Sequence, residues 1–477
     1  MRDREGLQSV KRGTILNPPR WFRLDAVLLR ISAWIGRQEW LRAVYGHLPA
    51  GLRAAVLGAF ASPARNRASF SKTAAWQRSA HAPVAPADDS RRGTHPEAAG
   101  VNIYGYFRGQ FGLGEGARLY AQALIDSGYP VALLDINLDI PHGLDDRTLD
   151  SHLVSEAPYD LNLILVNPDY FAEAVAKVGN ERLRGGYVIA CWFWELERIP
   201  GEWLDAVDTV DEVMVATSFV ERAFRRVTEK PILRVPLPVG GAADSGLVRE
   251  DFGLDPQAFL FLSSFDFNSG IARKNPLAAI EAFRMAFPRQ RDDVQLLIKT
   301  SNGHRYPQAF LQLLDAVSVD PRIVLRDEVI DRPHVHALQR CADAYVSLHR
   351  AEGFGLGLAE CMRIGKPVVA TAWSGNTEFM TPANSCLVDY QLVPVQVGQY
   401  PHSEGQQWAE PDTNAAAVFL RRLVDEAGYA ERLGTQASLD VRAQLSPRAA
   451  AARIIERLES IRVGRGNDRA AANVEKP

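Results

Sequence analysis

Short runs of β-branched and aromatic residues alternate with helix-length spacers over most of this chain, and that alternation constrains its fold more than any other feature. From Val101 the runs read VNIYGYF, VALLDI, LNLILVN, YVIACWFW, EVMVATS and ILRVPLPV. Strands separated by helices in this way build βαβ units and therefore a parallel sheet. The Pro/Gly-rich segment PLPVGGAADSG, residues 236–246, interrupts the series, and a second one follows: FLFLSSFDF, VQLLIKTS, RIVLRD, AYVSLH, PVVATAW and SCLVDY. The expected fold class is α/β, with two Rossmann-like parallel-sheet domains facing each other across a cleft. A chain of 477 residues, 47% of them hydrophobic, can bury two such cores. The boundaries read as 100–243 for the first domain and 244–462 for the second, which includes a terminal helix. A disordered polar tail is expected at 463–477.

Residues 1–99 differ in character. Up to residue 97 the chain holds 16 Lys/Arg against 7 Asp/Glu, and the remainder holds 38 against 50, so a basic arm precedes an acidic body. Trp21, Leu24, Leu28, Ile31 and Ile35 step by three and four, with Arg23, Arg30 and Arg37 between them. This basic amphipathic helix either lies in a membrane interface, anchored by Trp21 and Trp34, or packs on the body. Its arginines interrupt any run long enough for a signal peptide or a spanning helix. After Phe70 the composition becomes that of a linker. Cys191, Cys341, Cys361 and Cys386 lie far apart without C-x-x-C spacing and read as free thiols of a reducing compartment. The expected location is the cytoplasm, with peripheral contact to anionic lipid at the inner face of the membrane through residues 1–97. The arm has no motif that reads nucleic acid, and none is expected as a partner.

Two glycine-rich segments follow strands. In YFRGQFGLGEGAR, Gly112, Gly114 and Glu115 open a helix whose amides can face a diphosphate or an acceptor. Gly112, Gly114 and Ala117 also satisfy a G-x-G-x-x-A dinucleotide fingerprint, with Asp135 closing the next strand, so an NAD-dependent oxidoreductase is an alternative. Against it, Arg108 to Phe111 lengthen a turn that the fingerprint needs to be tight. In AYVSLHRAEGFGLGLAECMRIG a strand ends at His349 and a loop feeds into a helix. His349, Arg350, Glu352, Gly353, Phe354, Gly355 and Leu356 then sit at the carboxyl end of a strand, where open α/β sheets bind ligands. Glycines there let main-chain amides approach a sugar or a phosphate closely. Glu360 lies among apolar neighbours, where an unpaired charge is costly. In the first domain Trp194 and Glu195, at the end of YVIACWFW, place an aromatic face and a carboxylate near an acceptor.

Glu352 and Glu360, within EGFGLGLAE, form an E-x7-E pattern that resembles the retaining glycosyltransferases of family 4, which adopt the GT-B fold. FDFNSGIARKNPLAAIEAF, LLIKTSNG, LVDYQLVPV and WAEPD stand in the order shown by bacterial polysaccharide-assembly members, and the likeness covers roughly residues 101–425. The resemblance implies that Glu352 contacts donor-sugar hydroxyls and Glu360 the ribose, with Phe354, Gly355 and Leu356 offering amides to the sugar and the diphosphate. It assigns to Lys274, assisted by Arg273, the neutralisation of the departing diphosphate. Members of the family usually carry an arginine five residues before that lysine, where this chain has Ser269, so the second phosphate-binding cation is left open.

No D-x-D pair and no H-E-x-x-H or clustered Cys/His set occurs, so no metal site and no cofactor are expected. The implied activity is retaining, metal-independent transfer from a nucleotide-diphosphate sugar, as co-substrate, to a saccharide or lipid-linked saccharide in surface polysaccharide biosynthesis. A nucleotide-sugar epimerase can share the two-domain fold and is a further alternative.

Overall fold

The computed structural model describes residues 68–72, 75–76, 99–138, 140, 142–179, 183, 185–241 and 243–474. The basic helix expected from Trp21 lies outside the described residues.

The first domain contains β1 (Val101–Gly105), β2 (Val131–Asp135), β3 (Leu161–Leu165), β4 (Tyr187–Cys191), β5 (Glu212–Val215) and β6 (Ile232–Arg234). They lie in the order β2-β1-β3-β4-β5-β6, every pairing parallel. The second contains β7 (Phe259–Asp266), β8 (Val294–Ser301), β9 (Ile323–Asp327), β10 (Ala344–Ser347), β11 (Val368–Thr371) and β12 (Cys386–Val388). Their order is β12-β11-β10-β7-β8-β9, again all parallel. Each of the twelve apolar runs holds one strand. Helices cover both faces of a parallel sheet, so its strands read as unbroken apolar runs, and β1 and β3 are buried at all five positions.

In the second sheet the chain starts at β7, builds outward through β8 and β9, then returns to β10 on the opposite flank of β7. The strand order therefore reverses between β7 and β10, and a crevice opens beyond their carboxyl ends. β7 leads into α1 (Ile271–Lys274), β9 into α2 (Arg332–Cys341) and β10 into α3 (Leu356–Arg363). These connections carry the motif residues to one edge of the sheet.

The chain end departs from the expected boundaries in two ways. The last helix, α4 (Pro447–Val474), continues through residues 463–474, which the sequence reads as a disordered tail. The helix also packs on the first domain rather than the second. Ile454, Leu458 and Ile461 recur at helical spacing and join the core of Tyr120 and Leu124. Arg457 forms a bidentate ion pair with Glu212 on β5, Nη2 to Oε2 2.7 Å and Nε to Oε1 3.0 Å, while the Tyr187 hydroxyl donates to the same carboxylate. α4 thereby ties the second half of the chain back to the first.

Two more elements connect the halves. An antiparallel hairpin of β13 (Tyr390–Pro394) and β14 (Gln407–Pro411), which the sequence patterning does not reveal, carries its loop to the first domain. There the Tyr400 hydroxyl donates to Glu195 at 2.7 Å and Gln406 donates to the Arg198 carbonyl at 2.7 Å. At the other end, Phe70 and Trp76 pack against Phe252, and Trp76 stacks on His334. These residues fall inside the arm and linker drawn at 1–99, yet they are docked on the second domain.

Glu212 is 1% exposed, so removing its cation leaves a buried carboxylate facing only Tyr187. Arg457→Ala should destabilise the protein by about 3 kcal/mol, read as a lower urea midpoint at an unchanged slope. A midpoint equal to that of the native chain would show that α4 is held by its apolar face alone.

Candidate active site

A cleft of about 1080 Å³ lies between the two sheets. Gly112, Trp194 and Glu195 line it from the first domain, and Arg273, Lys274, Glu352, Gly353, Phe354, Gly355 and Leu356 from the second. Residues distant in the sequence converge here because the loops after β7 and β10 flank the reversal point.

At its centre is a buried charge cluster. Lys274 Nζ donates to Glu352 Oε1, and Arg273 Nη1 donates to Glu352 Oε2 at 3.3 Å. Burial by itself would raise the Glu352 carboxyl, but Lys274 and then Arg273 outweigh it and hold the group down to about 2. The same burial lowers Lys274, opposed by Glu352. Arg273 is 4% exposed and is fixed by the carbonyls of Ser269 and Ala351, with the Tyr400 ring over its guanidinium. Its donors are committed to the protein, whereas Lys274 stands at the cleft wall paired, among the described residues, with Glu352.

Backbone geometry explains the glycines. Gly355, at φ +92°, caps α3 in the left-handed region, and a Cβ on Gly353 would lie 3.1 Å from the Trp194 carbonyl oxygen. The loop is thus wedged against the first domain, where Thr217 also donates to the Gly353 carbonyl. α3 opens without a side-chain cap and its first residues line the cleft, so its amides are available to an anion.

Five of the sequence candidates do not line the cleft. Glu360 is engaged on both oxygens: Arg332 pairs with Oε1, and Gln339 donates to Oε2 at 2.9 Å. Burial raises its carboxyl and Arg332, the strongest opposing charge, brings it to about 2. Arg332 reaches Glu115 as well, at 3.2 Å, so this pair spans the two domains and Glu115 serves as a bridge rather than a loop ligand. Gly114 meets a packing demand, since a Cβ there would lie 2.4 Å from the Gly109 carbonyl oxygen. His349 is fully buried between Ser347 and Asn376, 3.0 Å from each, and burial lowers its pKa. Arg350 turns away to Glu410 and the ring of Trp408, anchoring the hairpin. Of the dinucleotide fingerprint, Gly112 alone reaches the cleft; Ala117 packs beneath Gly105, and Asp135 accepts from the Arg108 amide.

The cleft also holds residues that sequence reasoning missed, among them His142, Asp266, Asn268 and Tyr400. His142 stacks on Phe111 at 4.2 Å, in a segment without periodicity, and Tyr400 sits on the unforeseen hairpin. For Asp266 a signal existed, since FLFLSSFDF ends a strand with a carboxylate.

Comparison with known proteins agrees with this arrangement. Residues 257–394 match the family model described as glycosyl transferases group 1. Trehalose synthase of Rubrobacter xylanophilus is 26% identical over 213 residues, which are 43% of this chain and 44% of that enzyme. Among solved structures, sucrose-phosphate synthase of Thermosynechococcus elongatus superposes with a TM-score of 0.55 at 15% identity, covering 77% of this chain and all of that one. HepE of Anabaena, solved with UDP and glucose, gives 0.56 at 14% identity, covering 76% of this chain and all of that one. The chain therefore has the GT-B glycosyltransferase fold, with the glycosyl transferases group 1 match lying in its second domain.

The two buried carboxylates have a consequence for stability. Both titrate below their ordinary value of 4.5, at about 2, so each contributes stability that is present above pH 4.5 and lost as pH falls toward 2. Glu360→Gln should shallow the loss of stability over that window, measured as urea midpoints against pH. An unchanged slope would show that Glu360 titrates normally.

Proposed function

We propose that the chain is a retaining glycosyltransferase that moves a sugar from a nucleotide-diphosphate donor to a saccharide or lipid-linked saccharide acceptor. The observation that carries this reading is the Lys274–Glu352 pair at the reversal point of the second sheet, facing an interdomain cleft. The similar proteins support it: a trehalose synthase, and a GT-B protein solved with UDP and glucose.

In this reading the donor lies with its diphosphate against Lys274 and the amides that open α3. A diphosphate there competes for the Lys274 ammonium, which frees Glu352 to accept hydrogen bonds from donor-sugar hydroxyls. Charge grows on the leaving diphosphate as the sugar–oxygen bond breaks, and a preformed cation stabilises that charge without reorganising. Lys274 and the helix terminus carry this role in place of a metal ion. The acceptor oxygen bonds to the anomeric carbon on the face that the diphosphate leaves, and its proton passes to a diphosphate oxygen. Anomeric configuration is then kept and no protein nucleophile is used.

The acceptor enters between Trp194, Glu195 and the hairpin loop at Tyr400. Assembly of a surface polysaccharide is the proposed setting, with residues 1–97 holding the enzyme at anionic lipid; no described helix is long and apolar enough to cross a membrane.

Replacing Glu352 by Gln should lower kcat by about a hundredfold or more with the circular dichroism spectrum unchanged, in a transfer assay with UDP-, GDP-, ADP- and dTDP-sugars. Near-normal turnover would refute the assignment. Deleting residues 1–67 should abolish co-sedimentation with phosphatidylserine vesicles, and retained binding would move the membrane contact elsewhere.

A further inference from the structure

Beside the main cleft is a smaller chamber of about 180 Å³, walled by Leu262, Phe265, Val335 and Leu338, with Ser264, Asp266, Lys299, Ser301 and Gln339 as its polar members. It shares Ser264 and Asp266 with the cleft, so the two are continuous. Most of its polar groups are already engaged. Ser264 bonds the Tyr345 hydroxyl, Asp266 caps the loop after β7 and accepts from Asn302, and Gln339 donates to Glu360. Lys299, near the end of β8, has no hydrogen bond or ion pair with any described residue, and it is partly buried. Burial lowers its pKa to about 8 against the opposing influence of Asp266, Asp327 and Glu328.

An ammonium that borders the chamber without a fixed protein partner is free to donate to an acceptor on a ligand. Three features select the kind of acceptor. The volume falls well below the roughly 300 Å³ minimum of sites for whole drug-sized ligands, so it admits one flat ring rather than a nucleotide. The aliphatic and aromatic walls suit a weakly polar ring face. Asp266 lines the chamber, and Asp327 and Glu328, opposed by Arg332, add negative charge around Lys299, which disfavours a phosphate and leaves a neutral carbonyl oxygen as the better partner.

Resting on the donor reading above, we propose that this chamber receives the base of the nucleotide donor and that Lys299 selects a keto base. Its ammonium donates to the carbonyl oxygen that distinguishes uracil from cytosine, or guanine from adenine. The amino group of the other member of each pair would meet the same ammonium donor to donor. Lys299 is a specificity-determining residue on this view, separate from the transfer chemistry at Lys274 and Glu352.

The test is calorimetric titration of the full chain with UDP, CDP, GDP and ADP, for the native protein and for Lys299→Met and Lys299→Gln, with thermal melts confirming that both variants fold. The native chain should bind UDP over CDP, or GDP over ADP, by at least about tenfold. In both variants the ratio should fall to near one while affinity for the amino-base nucleotide is kept. Equal binding of keto and amino bases by the native chain, or a preference that survives both substitutions, would overturn the role of Lys299 and leave the donor reading standing. Binding of none of the four would overturn both.

Discussion

The fold is organised around one buried interaction, the triad of Lys274, Arg273 and Glu352. A carboxylate 6% exposed is tolerable only beside fixed cations, and these come from the loop after β7 while the carboxylate comes from the loop after β10. The two loops meet because the strand order reverses between β7 and β10. Topology therefore places the charges, and burial makes their pairing obligatory. Arg273 is fixed on three sides and orients the carboxylate, and Lys274 completes the pairing from the cleft wall.

The domains are joined by polar contacts that converge near this site. Arg332 links Glu360 of the second domain to Glu115 of the first, Thr217 holds the Gly353 carbonyl, and Glu378 accepts from the Ser218 amide at the start of a first-domain helix. The hairpin and α4 add Tyr400 to Glu195 and Arg457 to Glu212. Apolar packing accompanies these contacts, since Ala351, Val395 and Trp408 of the second domain share a core with Trp194 and Trp203 of the first. Arg332 touches a carboxylate of each domain.

Much of the architecture was legible in the sequence because parallel strands buried on both faces leave continuous apolar runs, and all twelve were found. Lys274, Glu352 and the Gly353–Gly355 loop were legible for a related reason: motif spacing and strand ends fix positions along the chain. What remained hidden depends on the partner across space. The hairpin of Tyr390 to Pro411 is half exposed and irregular, and its packing on Glu195 leaves no periodic trace. Arg350 and His349 share the strand end with Glu352, yet side-chain direction sends one to Glu410 and buries the other against Asn376. The path of α4 back to the first domain is equally a matter of which surface its apolar stripe meets, and its last turns look like a polar tail because no helical apolar period marks them.

The central claim is that the cleft at Lys274 binds the diphosphate of a sugar nucleotide. Its most direct test is calorimetric titration, in EDTA, of the native chain and of Lys274→Ala with a panel of UDP-, GDP-, ADP- and dTDP-sugars and with NAD(P). The account predicts that one sugar nucleotide binds the native chain, at least about tenfold more weakly to the variant, and that NAD(P) binds neither. Binding of NAD(P) alone, or sugar-nucleotide affinity untouched by loss of Lys274, would contradict it.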